Sequence, residues 1–301
     1  FNSIETYLTC APIPDFNTTT NTGCQGTEIE FMSHSYNSEN INYYWDFGAG
    51  ANPQYSYDAN PTVVYQEKGS HDVSLTVCAG SINDEPSYCN EINRENYIYI
   101  LDDVSVDSNN GIKQDFAPTN NGSFPENDGW YIVPQDEEVT WETTTAASWN
   151  DETSIRIRSR YFGYELNSHT FTTPELDLSN LSSAQIYFNL AYALKSNQTD
   201  FEDNLYIQDQ LVVYTSDNCG ESWMARKTYN VDDLITVFDE FGNPLTIFND
   251  FVPNGNQENP GDWAQKTFSL NNVAGDEGVI IKFEFTGIGM NEDGINVGGN
   301  W

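Results

Sequence analysis

The sequence predicts an all-β protein built as two β-sandwiches, and three observations carry that expectation. Short segments alternate apolar and polar residues with period two, and Asn, Asp, Gly, Ser or Pro clusters bound them. Helical periodicity is almost absent, residues 231–238 (VDDLITVF) being the best short candidate. Residues 102–111 (DDVSVDSNNG) are polar and poor in bulky apolar side chains, which reads as a linker. It divides a smaller domain, residues 1–101, from a larger one, residues 112–301.

The strands follow in chain order. In the first domain they are 27–31 (TEIEF), 72–78 (DVSLTVC) and 97–101 (YIYIL). In the second they are 154–158 (SIRIR), 184–190 (AQIYFNL), 204–214 (NLYIQDQLVVY), 263–270 (WAQKTFSL) and 279–285 (VIIKFEF). β-Branched and aromatic residues on one face of each suit a half-buried pleated surface. Many short strands with turn signals between them imply stacked antiparallel sheets.

Charge narrows the function classes. The 301 residues hold 46 acids and 11 bases, a formal net charge of −35. A surface that tracks phosphates needs clustered Lys and Arg, so nucleic acid is excluded as a partner, and an anionic membrane is disfavoured. No apolar run reaches the ~18 residues of a membrane span. The opening residues 1–10 (FNSIETYLTC) lack the basic and apolar regions of a signal peptide and read as the interior of a longer chain.

Five cysteines and three histidines are present, with no C-x-x-C pair, so a Cys/His zinc site is not expected. Cys10, Cys24, Cys78 and Cys89 fall in the first domain and imply two disulfides and an oxidising compartment. Three pairings are possible. Locality favours Cys78 with Cys89, which flank one hairpin loop, and Cys10 with Cys24. Cys219 is then left as a half-buried free thiol.

In the first domain, Tyr44-Trp45-Asp46-Phe47-Gly48 with Gly50 is followed by Asn60-Pro61-Thr62-Val63-Val64-Tyr65, then Gly69 and Val73-Ser74-Leu75-Thr76-Val77. This order resembles the PKD domain, an immunoglobulin-like β-sandwich of secreted and surface proteins, over roughly residues 10–101. Ala49 stands where that family often has Asp. Alternation places Trp45 and Phe47 in the core and Tyr44 on the opposite face. Asp46 is expected to brace the turn after it by an Asx-type bond.

In the second domain, residues 171–179 (FTTPELDLS) lead into 184–192 (AQIYFNLAY). Asp203-Asn204-Leu205 follows, then 212–223 (VVYTSDNCGESW) and Gly298-Gly299-Asn300. These segments resemble the C-terminal jelly-roll modules of secreted Bacteroidetes proteins, related to choice-of-anchor, MAM and cleaved-adhesin sandwiches. Asn218 replaces the Asp that usually precedes the Cys. The resemblance implies a closing strand beyond Trp301.

A PKD domain followed by such a jelly roll is similar to the region downstream of the catalytic domain in pappalysin-like (cytophagalysin-type) zinc metallopeptidases. That catalysis needs H-E-x-x-H, and no two of His34, His71 and His169 have the spacing. There is no G-x-S-x-G elbow either. A glycosidase needs two carboxylates about 5–5.5 or 6.5–9.5 Å apart across a cleft, for which no scaffold is indicated. The expected function is a non-catalytic accessory, spacer or docking module of a larger secreted protein, exported by type IX secretion. Its partners would be parent-chain catalytic or adhesive domains, secretion machinery, or extracellular protein or polysaccharide. The alternative is a surface adhesin or carbohydrate-binding module.

Calcium is the expected cofactor. Hard cations take several carboxylate and carbonyl oxygens, and the resemblance implies a structural ion. Asp115, Glu142, Asp200, Glu202 and Asp203 are the candidate ligands, with Asp128 a further one; Asp200-Phe201-Glu202-Asp203 gathers three acids before a strand. For a carbohydrate site the candidates are Trp130, Trp141, Trp149, Trp223 and Trp263. Strand patterning puts Trp223 and Trp263 in the core and leaves Trp149 the most exposed.

Overall fold

A computed structural model describes residues 11–36, 41–79, 88–109, 111–116, 129–132, 140–149, 152–162, 166–194, 209–247, 250–287 and 299–300. The chain divides into two compact units, Phe1–Asp102 and Asp103–Trp301. Both are β-structures. The described helical segments are the four-residue Val231–Leu234 and a 3-10 turn at Ser159–Tyr161. No helix among the described residues is long and apolar enough to cross a membrane.

The first unit is a sandwich. One sheet orders Phe16–Thr18, Glu28–Ser33, Thr62–Tyr65 and Ala51–Asn52. The other orders Thr22–Gly23, Tyr88–Ile100, Gly69–Ala79, Ile41–Asp46 and Tyr55–Ser56. Alternation explains the core: Ile29, Phe31, Trp45, Val63, Tyr65, Val73, Leu75 and Val77 all point inward and are fully buried. Trp45 lies edge-on to Phe16 at 5.1 Å and parallel to Phe47 at 5.5 Å, and its indole N–H donates to Asp58 O at 2.8 Å. Asp46 Oδ1 accepts from Gly48 N at 2.9 Å, the expected turn brace. Cys78 and Cys89 are opposite one another on paired strands and form a disulfide. Cys24 is disulfide-bonded, and Cys10 lies outside the described residues.

The second unit centres on a five-stranded antiparallel sheet. Its order is Tyr131–Ile132, Asn167–Thr172, Ile280–Gly287, Gln210–Ser216 and Met224–Asn230. Strands Gln185–Leu190 and Ala264–Ser269 form a separate antiparallel ribbon. Between them lies a core that includes Trp141, Phe171, Tyr192, Leu211, Phe268 and Phe285.

Two expectations are corrected. Residues 103–105, read as linker, form the strand Asp103–Ser105, which pairs in parallel with Glu175–Asp177. The Asp-Val-Ser triplet looks like loop because only one of its side chains is apolar; Val104 packs against the second unit's core. Cys219, read as a free thiol, is disulfide-bonded. It sits at φ +58° in a turn where Ser216 Oγ accepts from Gly220 N at 2.8 Å and Asn218 Oδ1 accepts from Ser222 N at 3.0 Å.

Candidate functional site

The second unit contains a cavity of about 940 Å3. Its borders include the ribbon, the five-stranded sheet, residues 141–149 and the loop 251–263. Along Gln185–Leu190, Ile186, Phe188 and Leu190 pack on the core, and alternation puts Tyr187 and Asn189 on the other face. Asn189 faces Gln265 across the ribbon. Tyr187, Asn189, Gln257, Gln265, Trp149 and Trp263 all border the cavity.

The loop 251–263 is held by the Asp262 carboxylate and by its own backbone, Asp262 N donating to Asn254 O at 2.8 Å. Asp262 Oδ2 accepts from Asn254 N at 2.8 Å and from Asn254 Nδ2 at 3.2 Å. Gly255 has φ +106°, and a Cβ there would stand 2.3 Å from Pro260 O. Gly261 has φ +55°, and its Cβ would stand 2.4 Å from Asn254 O. Only glycine lets the two limbs approach so closely. Gln257 N donates to Trp149 O at 2.8 Å, tying this loop to the segment that carries Trp149.

Two polar atoms at the cavity are telling. The indole N–H of Trp263 and the side-chain oxygen of Asn189 are buried, and neither has a hydrogen-bond partner among the described residues. Buried polar atoms are almost always paired, and leaving one unmet costs about 1–3 kcal/mol. One is a donor and the other an acceptor, and neither atom is open to solvent. Trp263 was expected in the core; its ring does pack beside Ala191, Ala193, Val237 and Phe251, but it remains half-buried at the cavity.

The remaining candidates are placed as follows. Asp115 borders the cavity, and its carbonyl accepts from Thr153 Oγ1 at 2.8 Å. Glu142 Oε1 accepts from Arg156 Nε and Arg158 Nε, each at 2.8 Å, so its charge is already compensated by two guanidinium groups. Asp128, Asp200, Glu202 and Asp203 lie outside the described residues. Trp141 is core, its N–H on His169 O at 3.2 Å. Trp130 packs on Phe116 and Phe171, and the ammonium of Lys282 lies 4.6 Å from the centroid of Trp223.

Asp209 carries no local sequence signal. It is buried, its Oδ2 accepts from Tyr192 OH at 2.8 Å, and burial followed by this carboxylate pushes the Tyr192 phenol well above its usual range. A Cβ on Gly287 would lie 2.7 Å from Asp209 Oδ1. The pair fastens the core.

The histidines have structural surroundings. His71 Nε2 is 2.8 Å from Glu67 O, and His169 stacks on Phe162 at 4.5 Å. His34 is exposed, its backbone N–H on Asp15 O.

Comparison with known proteins agrees with the first unit. Residues 15–84 match the family model of the PKD domain. A 58-residue stretch is 48% identical to the collagenase ColA of Bacillus cereus, covering 18% of this chain and 6% of that protein. A PKD domain is therefore present, and PKD domains are non-catalytic accessory domains. Among solved structures, one of carbohydrate-binding modules from the β-sandwich superfamily aligns over 97% of this chain and 94% of its own. The identity is 14% and the TM-score 0.32. A SusE-like protein aligns over 95% and 93%, at 13% identity and a TM-score of 0.21. Neither similarity bears on the ligand.

Proposed function

We propose that this segment is an extracellular accessory module whose second unit binds a neutral polysaccharide in the aromatic-lined cavity, with the PKD domain as a spacer. The observation that carries this is a cavity of about 940 Å3 bordered by the aromatic residues Trp149, Tyr187 and Trp263 and the amide residues Asn189, Gln257 and Gln265. Aromatic rings take the apolar face of a pyranose, and the amides and indole take its hydroxyls. A net charge of −35 disfavours acidic polysaccharides.

Affinity electrophoresis of the full chain through gels of β-glucan, xylan, xyloglucan or galactomannan tests the proposal. At least one neutral polymer should retard migration. Trp263→Ala and Asn189→Ala should each raise the dissociation constant about tenfold. Trp263→Phe keeps an aromatic ring, so a smaller loss than with Trp263→Ala is expected. Migration unchanged in every neutral polymer would remove this reading.

A second reading concerns the parent protein. The order of a PKD domain and a jelly roll is the ground for reading it as a secreted metallopeptidase, exported by a type IX route, of which this is the accessory region; the collagenase match over 6% of that protein reaches no further than a peptidase that also carries such a stretch. An H-E-x-x-H segment in the same reading frame is the observation that decides it.

Structural calcium is proposed on Asp115, Asp200, Glu202 and Asp203, with Glu142 set aside because its carboxylate is taken by Arg156 and Arg158. Millimolar EGTA at fixed ionic strength should then lower the melting temperature, and calcium but not sodium should restore it. A melting temperature indifferent to both would reduce these acids to solvated surface.

A further inference from the structure

The first unit carries a tyrosine cluster that its sandwich core does not use. In strand Ile41–Asp46, Trp45 is buried, so Asn42, Tyr44 and Asp46 stand on the outer face. The edge strand Tyr55–Ser56 pairs with it, Tyr55 opposite Asp46. This register brings Tyr55 against Tyr44, ring centroids 5.8 Å apart and nearly parallel at 13°. Tyr57 reaches the same ring, centroid to centroid 5.6 Å. Tyr55 is 47% exposed and Tyr57 is 71% exposed.

One acid stands within the cluster: Asp46, directly across from Tyr55. The carboxylate of Asp58 lies 3.5 Å from Oγ of the buried Ser56. Across the sheet, Tyr44 faces Thr76, which faces Glu91; Asp46 faces Ser74, which faces Asn93. None of these positions holds Lys or Arg. Arg94, next in the strand, is committed elsewhere: its guanidinium meets Asp15 at 2.9 Å and lies 4.4 Å from the Phe16 centroid. Burial, then Tyr55, Asp46 and Tyr57, hold the Tyr44 phenol above its ordinary range.

Exposed rings attract a guanidinium over their faces, and neighbouring carboxylates add charge-assisted hydrogen bonds. We propose that the Tyr44–Tyr55–Tyr57 face of the first unit is a docking surface for an arginine-bearing segment of a protein partner. Charge complementarity decides for this partner over a neutral glycan: the face has acids and no base, on a chain of net charge −35. It is a surface separate from the cavity of the second unit.

The test is fluorescence anisotropy of a labelled (Arg-Gly-Gly)3 peptide titrated with the full chain at 0.15 M NaCl. Tyr55→Ala and Tyr57→Ala should each weaken binding roughly three- to tenfold. Glu91→Gln should weaken it, whereas Glu221→Gln, an identical charge change on the second unit, should not. The matching lysine peptide should bind less tightly. The proposal is overturned if the peptide does not bind, if the tyrosine variants bind like the parent, or if Glu221→Gln weakens binding as much as Glu91→Gln. Displacement of the peptide by a neutral oligosaccharide would reassign the face to glycan.

Discussion

Trp45→Ala should lower the unfolding midpoint of the first unit by roughly 15–30 °C. Trp45 is fully buried, is ringed by Phe16, Phe31 and Phe47, and holds the Asp58 carbonyl through its indole N–H. Truncating a buried Trp costs about 3–5 kcal/mol. In a domain near one hundred residues, each kcal/mol moves the midpoint by roughly 4–8 °C. Tyr57→Ala is the control, because an exposed ring should change stability by less than about 0.5 kcal/mol. Calorimetry on both variants checks the pair. A Trp45→Ala midpoint within a degree or two of the parent would deny that this residue closes the sandwich.

Gly255→Ala should cost the polysaccharide affinity at least tenfold while leaving most of the second unit folded. Its φ of +106° is closed to other residues, and the new Cβ would collide with the Pro260 carbonyl at 2.3 Å. The loop would have to open, moving Trp263 and loosening the Gln257–Trp149 hydrogen bond. Gly242→Ala separates collision from backbone strain. Gly242 also has positive φ, at +83°, but a Cβ there would meet nothing within 4 Å. Titration of both variants with the polymer that retards the parent should find Gly242→Ala nearly normal. Equal loss in both would mean that the loop shape is not what builds the site.

Local pattern made much of the fold legible. Alternation was enough to put Trp45 and Phe47 inside and Tyr44 outside, and the loop flanked by Cys78 and Cys89 was enough to pair them. What stayed hidden depends on register between distant segments. Tyr55 and Tyr57 join Tyr44 only because Asp46 pairs with Tyr55 across a turn whose length does not dictate that pairing. Strand Asp103–Ser105 is polar at both ends, and its partner lies about seventy residues away at Glu175–Asp177, beyond what local pattern reports. Helical signal at residues 231–238 ends after Leu234, where Thr236 N donates to Tyr192 O instead.

The candidate cavity was less legible. Trp149 was expected to be the most exposed tryptophan and Trp263 and Trp223 to be core, yet all three are half-buried. The unmet N–H of Trp263 is a property of the packed structure, as is that of the Asn189 oxygen. No spacing in the sequence brings residue 189 beside residue 265. The close approach of Gly255 and Gly261 is likewise a property of the packed loop.

Oxidative footprinting of the full chain, with and without a saturating neutral polysaccharide, tests the central claim most directly. Bound polymer should protect Tyr187, Trp149 and Trp263, which border the cavity. Phe241, 81% exposed, and Tyr36, 58% exposed, should label equally in both states. Protection that spares the three cavity residues, or falls instead on Phe241 or the tyrosines of the first unit, would contradict a polysaccharide site in the second unit.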